Sequence, residues 1–318
     1  RETDCPRYDG RFGKRIVKEG KTDMRLGTST TIAFNRPYGR KEEIPNAVKL
    51  CAEAGYKVLD MNFHDCANFP TPLLTDKWQW WVDSIADAAA RYGVEFSQSH
   101  LHFYEVFSVG DDEAGEKEEI IRRCMKGSAM LGVKWAVTHA ATMWNVPDLR
   151  KKSLDGNIQY FREKLEIAEA LDLHIAIENL WDLNICPKRR YTSTAEELVE
   201  LVDALDSERI GIAWDFEHAS IMEQDQILAL RMIGSRLKAT HVSDHYGIQA
   251  DHQIAYFGVT KWEEFLPVLK EIEYEGDFVY ETHRYTQHMP DELLPGALRF
   301  SIEVGNYLLD LMDRTTLK

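Results

Sequence analysis

The sequence predicts an α/β fold, a single (β/α)8 barrel with a short N-terminal extension. Two observations predict this fold. Short apolar runs alternate with amphipathic stretches eight times without an intervening linker, and repeated strand–helix units form parallel sheets. Eight such units close into one barrel, for which 318 residues is at the upper end of the usual length. An open doubly wound sheet is less favoured because neither GxGxxG nor GxxxxGK[ST] follows the first strand.

The predicted strands and helices succeed one another at similar spacing. The strands cover residues 24–30, 56–60, 94–101, 133–139, 173–178, 210–215, 237–242 and 277–281. The helices cover residues 41–54, 78–92, 116–131, 154–171, 195–204, 224–233, 261–272 and 290–311. Glycines 55, 93 and 132 end the first three helices.

Three other segments carry separate expectations. Residues 192–197 resemble a capping box at the start of a helix. The acidic residues 106–115 are expected to form a flexible loop. Residues 1–23 are polar, with little apolar periodicity, and are expected to pack outside the barrel as an extension or to stay partly mobile. The barrel domain is therefore expected over residues 24–318.

Composition and charge exclude some classes of protein. Hydrophobic residues make up 44% and charged residues 29%, as in ordinary globular proteins. The net charge of −15 argues against a nucleic-acid partner, which needs a basic surface. No apolar run is long enough to span a membrane. Five scattered cysteines without a CxxC indicate reduced thiols and a cytoplasmic enzyme.

Polar residues at the ends of the predicted strands point to a functional site. Active residues of a (β/α)8 barrel lie at the carboxyl ends of its strands, and nearly all of the eleven histidines fall there. An unpaired carboxylate at the end of a buried strand is costly, so its presence there suggests a site. The residues at these ends are Asn62, His64, His100, His102, His139, Glu178, Asp215, His218, His241, Asp244, Asp251, His252, Glu281 and His283.

Four of these residues predict a metal site. Glu178, Asp215, His241 and Glu281 each end a short apolar run. Three carboxylates and one imidazole form a hard, oxygen-rich site that suits Mn²⁺ or Mg²⁺, with Co²⁺ or Zn²⁺ as alternatives. Without a cation these groups would repel one another and shift their pKa values.

The same residues lie in motifs that carry a family resemblance. The runs IAIENL, GIAWDFEHA, HVSD followed by DHQIAYFG, and VYETH resemble the xylose-isomerase-like TIM barrels of the sugar phosphate isomerase/epimerase superfamily. LGTSTTIAF, AGYKVLDMNF, VEFSQSHLHF and LGVKWAVTHA resemble the first four strands of that family. The resemblance begins at about residue 24 and extends to the end of the chain.

This resemblance implies an enzyme and assigns roles to its residues. Glu178, Asp215, His241 and Glu281 would hold a divalent metal, Mn²⁺ first among the alternatives. Glu178 and Glu281 would also act as the acid–base pair of an isomerase or epimerase, on opposite faces of a carbohydrate. The reaction would remove a proton next to a carbonyl through a metal-stabilised enediolate. The family is typically homo-oligomeric, and some members bind a small partner subunit.

Further residues are expected to catalyse the reaction or to contact the substrate. His139 and His218 are candidate catalytic groups, although a histidine at a helix start can also bond nearby backbone. The candidate substrate contacts are Asn62, His100, His102, Asp244 and His252.

Two departures from the family pattern leave alternatives open. No arginine follows His241 in the run from 242 to 247, and the usual Pro-Gly-x-Gly loop is replaced by residues 255–258, Ala-Tyr-Phe-Gly. These changes are compatible with a bulkier substrate and with a lyase acting on 3-oxo-sugars. Such a lyase could be the catalytic subunit of a C-glycoside deglycosidase or a polyol-ketone dehydratase.

A second alternative is a zinc-dependent apurinic endonuclease. Nine residues resemble the ligands of that family in order and approximate spacing. The net charge of −15 and the adjacent pair Asp251-His252 count against this alternative. The nine residues are His100, His139, Glu178, Asp215, His218, His241, Asp251, His252 and Glu281.

Overall fold

Eight parallel strands form one closed sheet in the computed structural model, which describes residues 24–182 and 189–315. The segment expected to form an N-terminal extension, residues 1–23, lies outside the described residues. The strands are β1 Leu26–Ser29, β2 Val58–Asn62, β3 Glu95–His100, β4 Trp135–His139, β5 His174–Glu178, β6 Ile210–Asp215, β7 Leu237–His241 and β8 Phe278–Tyr280.

The sheet closes through backbone contacts beyond the ends of two strands. Its order is β7-β6-β5-β4-β3-β2-β1-β8. Val242, directly after β7, donates to the carbonyl of Val279 at 2.8 Å and accepts from the amide of Glu281 at 3.1 Å. These two hydrogen bonds join β7 to β8, and the predicted (β/α)8 barrel is confirmed.

Helices surround the sheet and bury the outer face of its strands. They are α1 Thr31–Phe34, α2 Ile44–Ala54, α3 Phe63–Ala67, α4 Trp78–Tyr92, α5 Asp111–Met130, α6 Leu149–Ala170, α7 Ala195–Leu205, α8 Phe216–Ile221, α9 Gln226–Ile233, α10 Trp262–Phe265, α11 Pro267–Glu271 and α12 Leu294–Arg314. The main hydrophobic core lies between these helices and the sheet. None of the described helices has the length and apolarity to cross a membrane.

The interior of the barrel contains a second, smaller apolar cluster, formed by Val137, Ala176, Ala213 and Ala239. Because side chains two positions apart in a strand point to the same face, the residue two places after each of these also faces the interior. Those residues are His139, Glu178, Asp215 and His241. The fold therefore places four candidate site side chains in one layer directly above a layer of small apolar ones.

The strand register pairs these side chains directly at two of the three strand boundaries. His139 is the β-sheet partner of Glu178, and Asp215 is the partner of His241. Between β5 and β6 the partner of Glu178 is Ala213, two positions before Asp215. The layer opens at the carboxyl-terminal end of the barrel, where the sequence predicted the site.

Several local predictions differ from the structure. The segment 111–115, predicted as loop, forms the first turn of α5. Its acidic residues Asp111, Asp112 and Glu113 stabilise the helix by interacting with the positive end of the helix dipole. The predicted capping box does not form, because the Thr194 side chain caps no amide and Glu197 instead pairs with Arg189 at 2.7 and 2.9 Å.

The bounds of three predicted helices also differ. The predicted helix over residues 261–272 is divided into α10 and α11, with Pro267 as the first residue of α11. Proline lacks the amide hydrogen that a continuous helix requires at that position. α6 starts at Leu149, earlier than predicted, and the last helix begins at Leu294 rather than at residue 290.

Candidate metal centre at the carboxyl-terminal end of the barrel

Glu178 at the end of β5 is the centre of the candidate site. Its side chain is fully buried. Oε2 lies 3.0 Å from His139 Nε2 and 3.2 Å from His100 Nε2, while Oε1 lies 2.8 Å from His241 Nδ1. Three imidazoles from β3, β4 and β7 therefore surround one carboxylate.

The four predicted metal ligands lie together. Ligand atoms of Glu178, Asp215, His241 and Glu281 all fall within 4.8 Å of one another, and all four residues are buried. Glu281 Oε2 is 3.3 Å from His241 Nδ1. Asp215 Oδ2 and His241 Nε2 are buried and have no hydrogen-bond partner among the described residues. The sequence thus identified a cluster that the fold assembles from four strands.

The buried carboxyl groups of this cluster favour a positive charge beside them. Burial and the charges of Glu178 and Glu281 raise the pKa of Asp215 well above its ordinary value. Burial opposes ionisation of Glu178 and Glu281 too, but the positive charge of His241 holds the pKa of both carboxyls well below the usual range. Three buried carboxyl groups around one imidazole therefore make ionisation of Asp215 costly. This donor set fits a divalent cation, whose charge would favour the ionised form of all three.

His139 and His100 contact the same oxygen of Glu178, but their pKa values are shifted in opposite directions. Burial lowers the pKa of His139 to about 4, so its ring is neutral and Nε2–H can donate to Glu178. Burial also opposes protonation of His100, but its bond to Glu178 and the charges of Glu281 and Glu178 raise its pKa. Two imidazoles at 3.0 and 3.2 Å from Oε2 therefore keep the Glu178 carboxylate in place.

His218 bonds nearby backbone and also lies beside the site, which are the two possibilities that the sequence left open. The Asp215 carboxylate caps α8 by accepting from the amide of His218 at 2.8 Å. The ring Nδ1 lies 2.8 Å from the carbonyl oxygen of Asn179 and donates to it. Nδ1 also lies 3.8 Å from Glu178 Oε1 and 3.7 Å from Asp215 Oδ2, so the ring remains beside the site.

An aromatic group borders the site on the side of β3. Phe103 stacks between His64 and His139, with ring centroids 4.0 and 3.8 Å away. His102 lies 5.3 Å from His64 in a stacked arrangement, and burial lowers the pKa of His102 to about 4. These rings give the site a partly apolar wall.

His252 and His283 lie on the other side of the site. His283 Nε2 is 3.2 Å from Glu281 Oε1, and its Nδ1 is 3.4 Å from Asp65 Oδ2. Burial opposes protonation of His283, but the charges of Asp65 and Glu281 raise its pKa well above the usual value. His252 lies 4.6 Å from His283, measured between ring centroids.

Three acids in contact with the site, two of them buried and Asp65 partly buried, escaped the sequence interpretation. Asp60 Oδ2 lies 3.7 Å from His241 Nε2, and Asp65 contacts His283. Glu217 accepts from the amides of Asp251 and His252 at 2.6 and 2.9 Å. Burial and the charge of Asp215 raise the pKa of Glu217 to about 8. Glu217 lies inside the motif GIAWDFEHA, so only its position between two candidate residues could have marked it.

Asp244, a predicted substrate contact, is fully buried beneath the loop that follows β7. Oδ1 accepts from the amides of His245 and Thr260 at 2.9 and 3.0 Å. Oδ2 accepts from the amide of Tyr256 at 3.0 Å and from Trp262 Nε1 at 3.3 Å. Four donors use the lone pairs of this carboxylate. Asp244 therefore organises the loop, and a substrate contact by this side chain stays an untested prediction.

Asn62 also has a local structural contact. Its side-chain oxygen accepts from the amide of Asp65 at 2.7 Å and caps α3. The residue is buried at the end of β2. Its predicted contact with substrate is likewise untested.

Comparison with known proteins identifies the family. A family model described as a xylose isomerase-like TIM barrel matches residues 48–303, which is more than half of the chain. The chain belongs to the xylose isomerase-like TIM barrel family. This xylose isomerase-like barrel is also similar to an uncharacterized protein of Methanocaldococcus jannaschii, with 30% identity over 204 residues that cover 61% of this chain and 67% of the relative.

Solved structures share the fold of this xylose isomerase-like barrel. A D-psicose 3-epimerase from Clostridium cellulolyticum H10, solved with D-tagatose, has a TM-score of 0.70 at 16% identity, covering 90% of this chain and 99% of that one. A 3-keto-D-glucoside 4-epimerase from E. coli has a TM-score of 0.66 at 17% identity, covering 88% of this chain and 100% of that one. At these identities the likeness concerns the fold.

Proposed function

We propose that this protein is a divalent-metal-dependent epimerase or isomerase that moves a proton at a carbon next to the carbonyl of a carbohydrate. The observation that carries the proposal is the buried convergence of Glu178, Asp215, His241 and Glu281. The names of the two similar epimerases support a sugar as the substrate class.

The four-residue cluster would hold the cation. Three carboxylates and one imidazole form a hard donor set, which favours Mn²⁺, with Mg²⁺, Co²⁺ or Zn²⁺ as alternatives. When bound, the cation would act as a Lewis acid that polarises oxygens of the substrate.

Glu178 and Glu281 would carry out the proton transfers. Both carboxyls have lowered pKa values, so each is ionised and able to accept a proton. One glutamate, as the carboxylate, would take the proton from carbon. The other would first take up a proton from solvent and deliver it to the opposite face, and the first would then release its proton to solvent. His139, which donates to Glu178 Oε2, would hold that carboxylate in a fixed orientation.

The imidazoles around the cluster would bind the hydroxyl groups of the substrate. His100, His102, His218 and His252 line or border the site and can donate or accept hydrogen bonds. Phe103 would pack against a less polar face of the sugar, as aromatic rings commonly pack. The lack of an arginine near His241 favours a substrate whose end is not held by a charged contact.

Glu178→Gln and Glu281→Gln test the proposal. The protein is incubated with Mn²⁺ in deuterated water together with a set of ketoses and 3-oxo-glycosides, and deuterium incorporation at carbon is measured by mass spectrometry. Loss of a general acid or base should reduce turnover by about 10²- to 10⁴-fold in each variant. Glu200→Gln, a control on α7 whose side chain pairs with Arg150, should retain full activity. Exchange that persists in both glutamate variants would rule out the proposed pair.

Two related assays would reveal a different reaction. Release of an aglycone from a 3-oxo-glycoside would assign a lyase that uses the same carbon-acid chemistry. Nicking of abasic DNA would assign phosphodiester hydrolysis instead, which the net charge of −15 disfavours.

A further inference from the structure

We propose that one face of α6 positions the ring pair of Phe103 and His139, which borders the site. Phe103 lies in the loop after β3 and His139 ends β4, and their ring centroids are 3.8 Å apart. The inference rests on the proposed function, in which Phe103 packs against the sugar and His139 orients Glu178. The residues that it adds lie on a helix outside the strand ends, and they are Ser153, Gly156, Asn157 and Lys164.

The buried face of α6 has an unusual composition. The residues that α6 buries are Ser153, Asn157, Phe161, Lys164 and Ala168. Their spacing of three or four positions places them on one face, where a helix that covers a sheet normally carries apolar residues. Buried polar groups are costly unless they form hydrogen bonds, and serine and asparagine are poorer helix formers than alanine. The structure shows partners for these groups in the loop after β4 and in α5.

Asn157 fixes the backbone that follows His139. Asn157 Oδ1 accepts from the amide of Ala141 at 2.9 Å, and Nδ2 donates to the carbonyl oxygen of Ala141 at 2.7 Å. One turn earlier on the helix, Ser153 Oγ accepts from the amide of Met143 at 2.9 Å. Both α6 side chains are fully buried. Because Ala141 lies two positions after His139, these bonds determine the direction in which the chain leaves the end of β4.

Lys164 fixes the backbone next to Phe103 through a carboxylate. Lys164 Nζ donates to Glu118 Oε2 at 2.5 Å, and Tyr104 Oη donates to Glu118 Oε1 at 2.8 Å. Lys164 is only 6% exposed, and Nζ also lies 4.3 Å from the centroid of the Tyr160 ring. Hydrogen bonds are stronger away from water. Tyr104 directly follows Phe103, so this buried connection holds the start of the loop after β3.

Gly156 leaves room for a second attachment of the same loop. A Cβ atom at position 156 would lie 2.7 Å from Phe107 Cζ and 3.1 Å from Met143 Cε. Glycine is unfavourable in the interior of a helix, and Gly156 lies well inside α6. The close approach of Phe107 gives this glycine a structural reason. The loop that carries Phe103 is therefore attached to α6 both at Gly156 and, through Glu118, at Lys164.

The ring protons of His139 report the position of the ring pair and need no substrate. They are observed by NMR in the full chain, in chelator so that no paramagnetic ion broadens them, and are assigned through His139→Gln. Phe103→Leu gives the change in chemical shift that follows from loss of stacking. Tyr104→Phe should move the His139 resonances towards those positions, and Asn157→Ala should move them as well. Tyr92→Phe, at the end of α4, is the matched control and should leave them unchanged.

Kinetics on the sugar that the protein turns over separate positioning from stability. Tyr104→Phe should raise KM and leave kcat nearly unchanged, because Phe103 would bind the substrate and the transition state alike. Asn157→Ala should lower kcat by up to about 10²-fold, the cost of misplacing a group near the reaction by about 1 Å. A lower melting temperature in both variants with unchanged kcat and KM would assign these residues to stability alone and overturn the proposal.

Gly156→Ala keeps the proposal testable if Asn157→Ala fails to fold, as judged by circular dichroism. Alanine is more favourable in a helix than glycine, so α6 should stay folded while the added methyl group displaces Phe107 and moves the His139 resonances. Gly115→Ala is its matched control, because Gly115 lies inside α5 with open space around it. Unchanged resonances in any folded variant of Asn157, Tyr104 or Gly156 would overturn the proposal, and so would equal changes in the two controls. Changed resonances in a protein that is inactive on every sugar would support the positioning and contradict the proposed function.

Discussion

The two ends of the barrel differ in how their charged side chains are arranged. At the carboxyl-terminal end, Glu178, Asp215 and Glu281 are buried together around His241. At the amino-terminal end, charges of opposite sign pair near the surface, for example Arg25 with Asp277 at 2.8 Å. The pairs Arg209–Asp172 and Arg236–Asp203 lie at the same end.

This difference distinguishes the candidate site from charged pairs that connect parts of the fold. Exposed pairs of opposite charge change the free energy of unfolding only a little, because water already stabilises each partner. Burial of three carboxyl groups together is costly and is compatible with the proposed cation site. Cavity size alone would mislead, since a cavity of about 810 Å³ lies at the amino-terminal end, lined by paired charges including Arg25, Glu95 and Asp277.

Asp215→Asn should produce the largest change at the carboxyl-terminal end. Removal of a metal ligand should lower activity by at least about 100-fold, since loss of a supporting group behind a ligand alone costs 10- to 100-fold. The metal-free variant should nevertheless be no less stable than wild type. Added Mn²⁺ should then raise the melting temperature of wild type only, because a ligand that binds the folded state stabilises it.

The effect of Asp215→Asn on the melting temperature should depend on pH, and the pKa shift of Asp215 determines its sign. The folded-state pKa of Asp215 lies well above the ordinary value of 3.8. The stability that the protonated group provides is therefore complete below pH 3.8 and is lost as pH rises through the folded-state pKa. In chelator, the melting temperature of Asp215→Asn relative to wild type should increase as pH rises above 3.8. The two melting temperatures are measured by thermal unfolding across this pH range. A difference between them that stays constant would show that the carboxyl groups of the cluster do not repel one another.

Asp60→Asn should have a smaller effect at the same end. Asp60 Oδ2 faces His241 Nε2 at 3.7 Å, on the side of the ring away from Glu178. A carboxylate in that position orients a ligating imidazole and makes it more basic. We expect Mn²⁺ affinity to fall about 10- to 100-fold, measured by titration against a competing chelator. Asp172→Asn, from an exposed pair at the amino-terminal end, is the control, and equal losses in both variants would remove the distinction between the two ends.

The barrel and the metal cluster could be predicted because both follow from local patterns. Each strand is a short apolar run, and a residue at its carboxyl end has a defined face through the two-residue period of a strand. Glu178, Asp215 and His241 end such runs, and the fold brings them to one layer. The eightfold alternation determined that these ends meet.

Contacts between distant segments could not be predicted in the same way. Asp65 and His283 are 218 positions apart, and no local pattern joins a short helix after β2 to the end of β8. Asp244 and Asn62 stand at strand ends as ligands do, but their oxygens accept backbone amides of nearby loops. Sequence position gives the end of the barrel on which a side chain lies and leaves its hydrogen-bond partners open.

Arg25→Ala should have the smallest effect and tests the amino-terminal end. Its guanidinium bonds both oxygens of Asp277 at 2.8 Å and also reaches Glu95, which ties the starts of β1, β8 and β3 together. Because about half of the Arg25 side chain is exposed, we expect the free energy of unfolding in urea to fall by about 1 kcal/mol or less. Mn²⁺ affinity and activity should stay at wild-type values. A loss of metal affinity in Arg25→Ala would mean that the paired charges at the amino-terminal end help to shape the metal centre, and that the two ends are coupled through the strands.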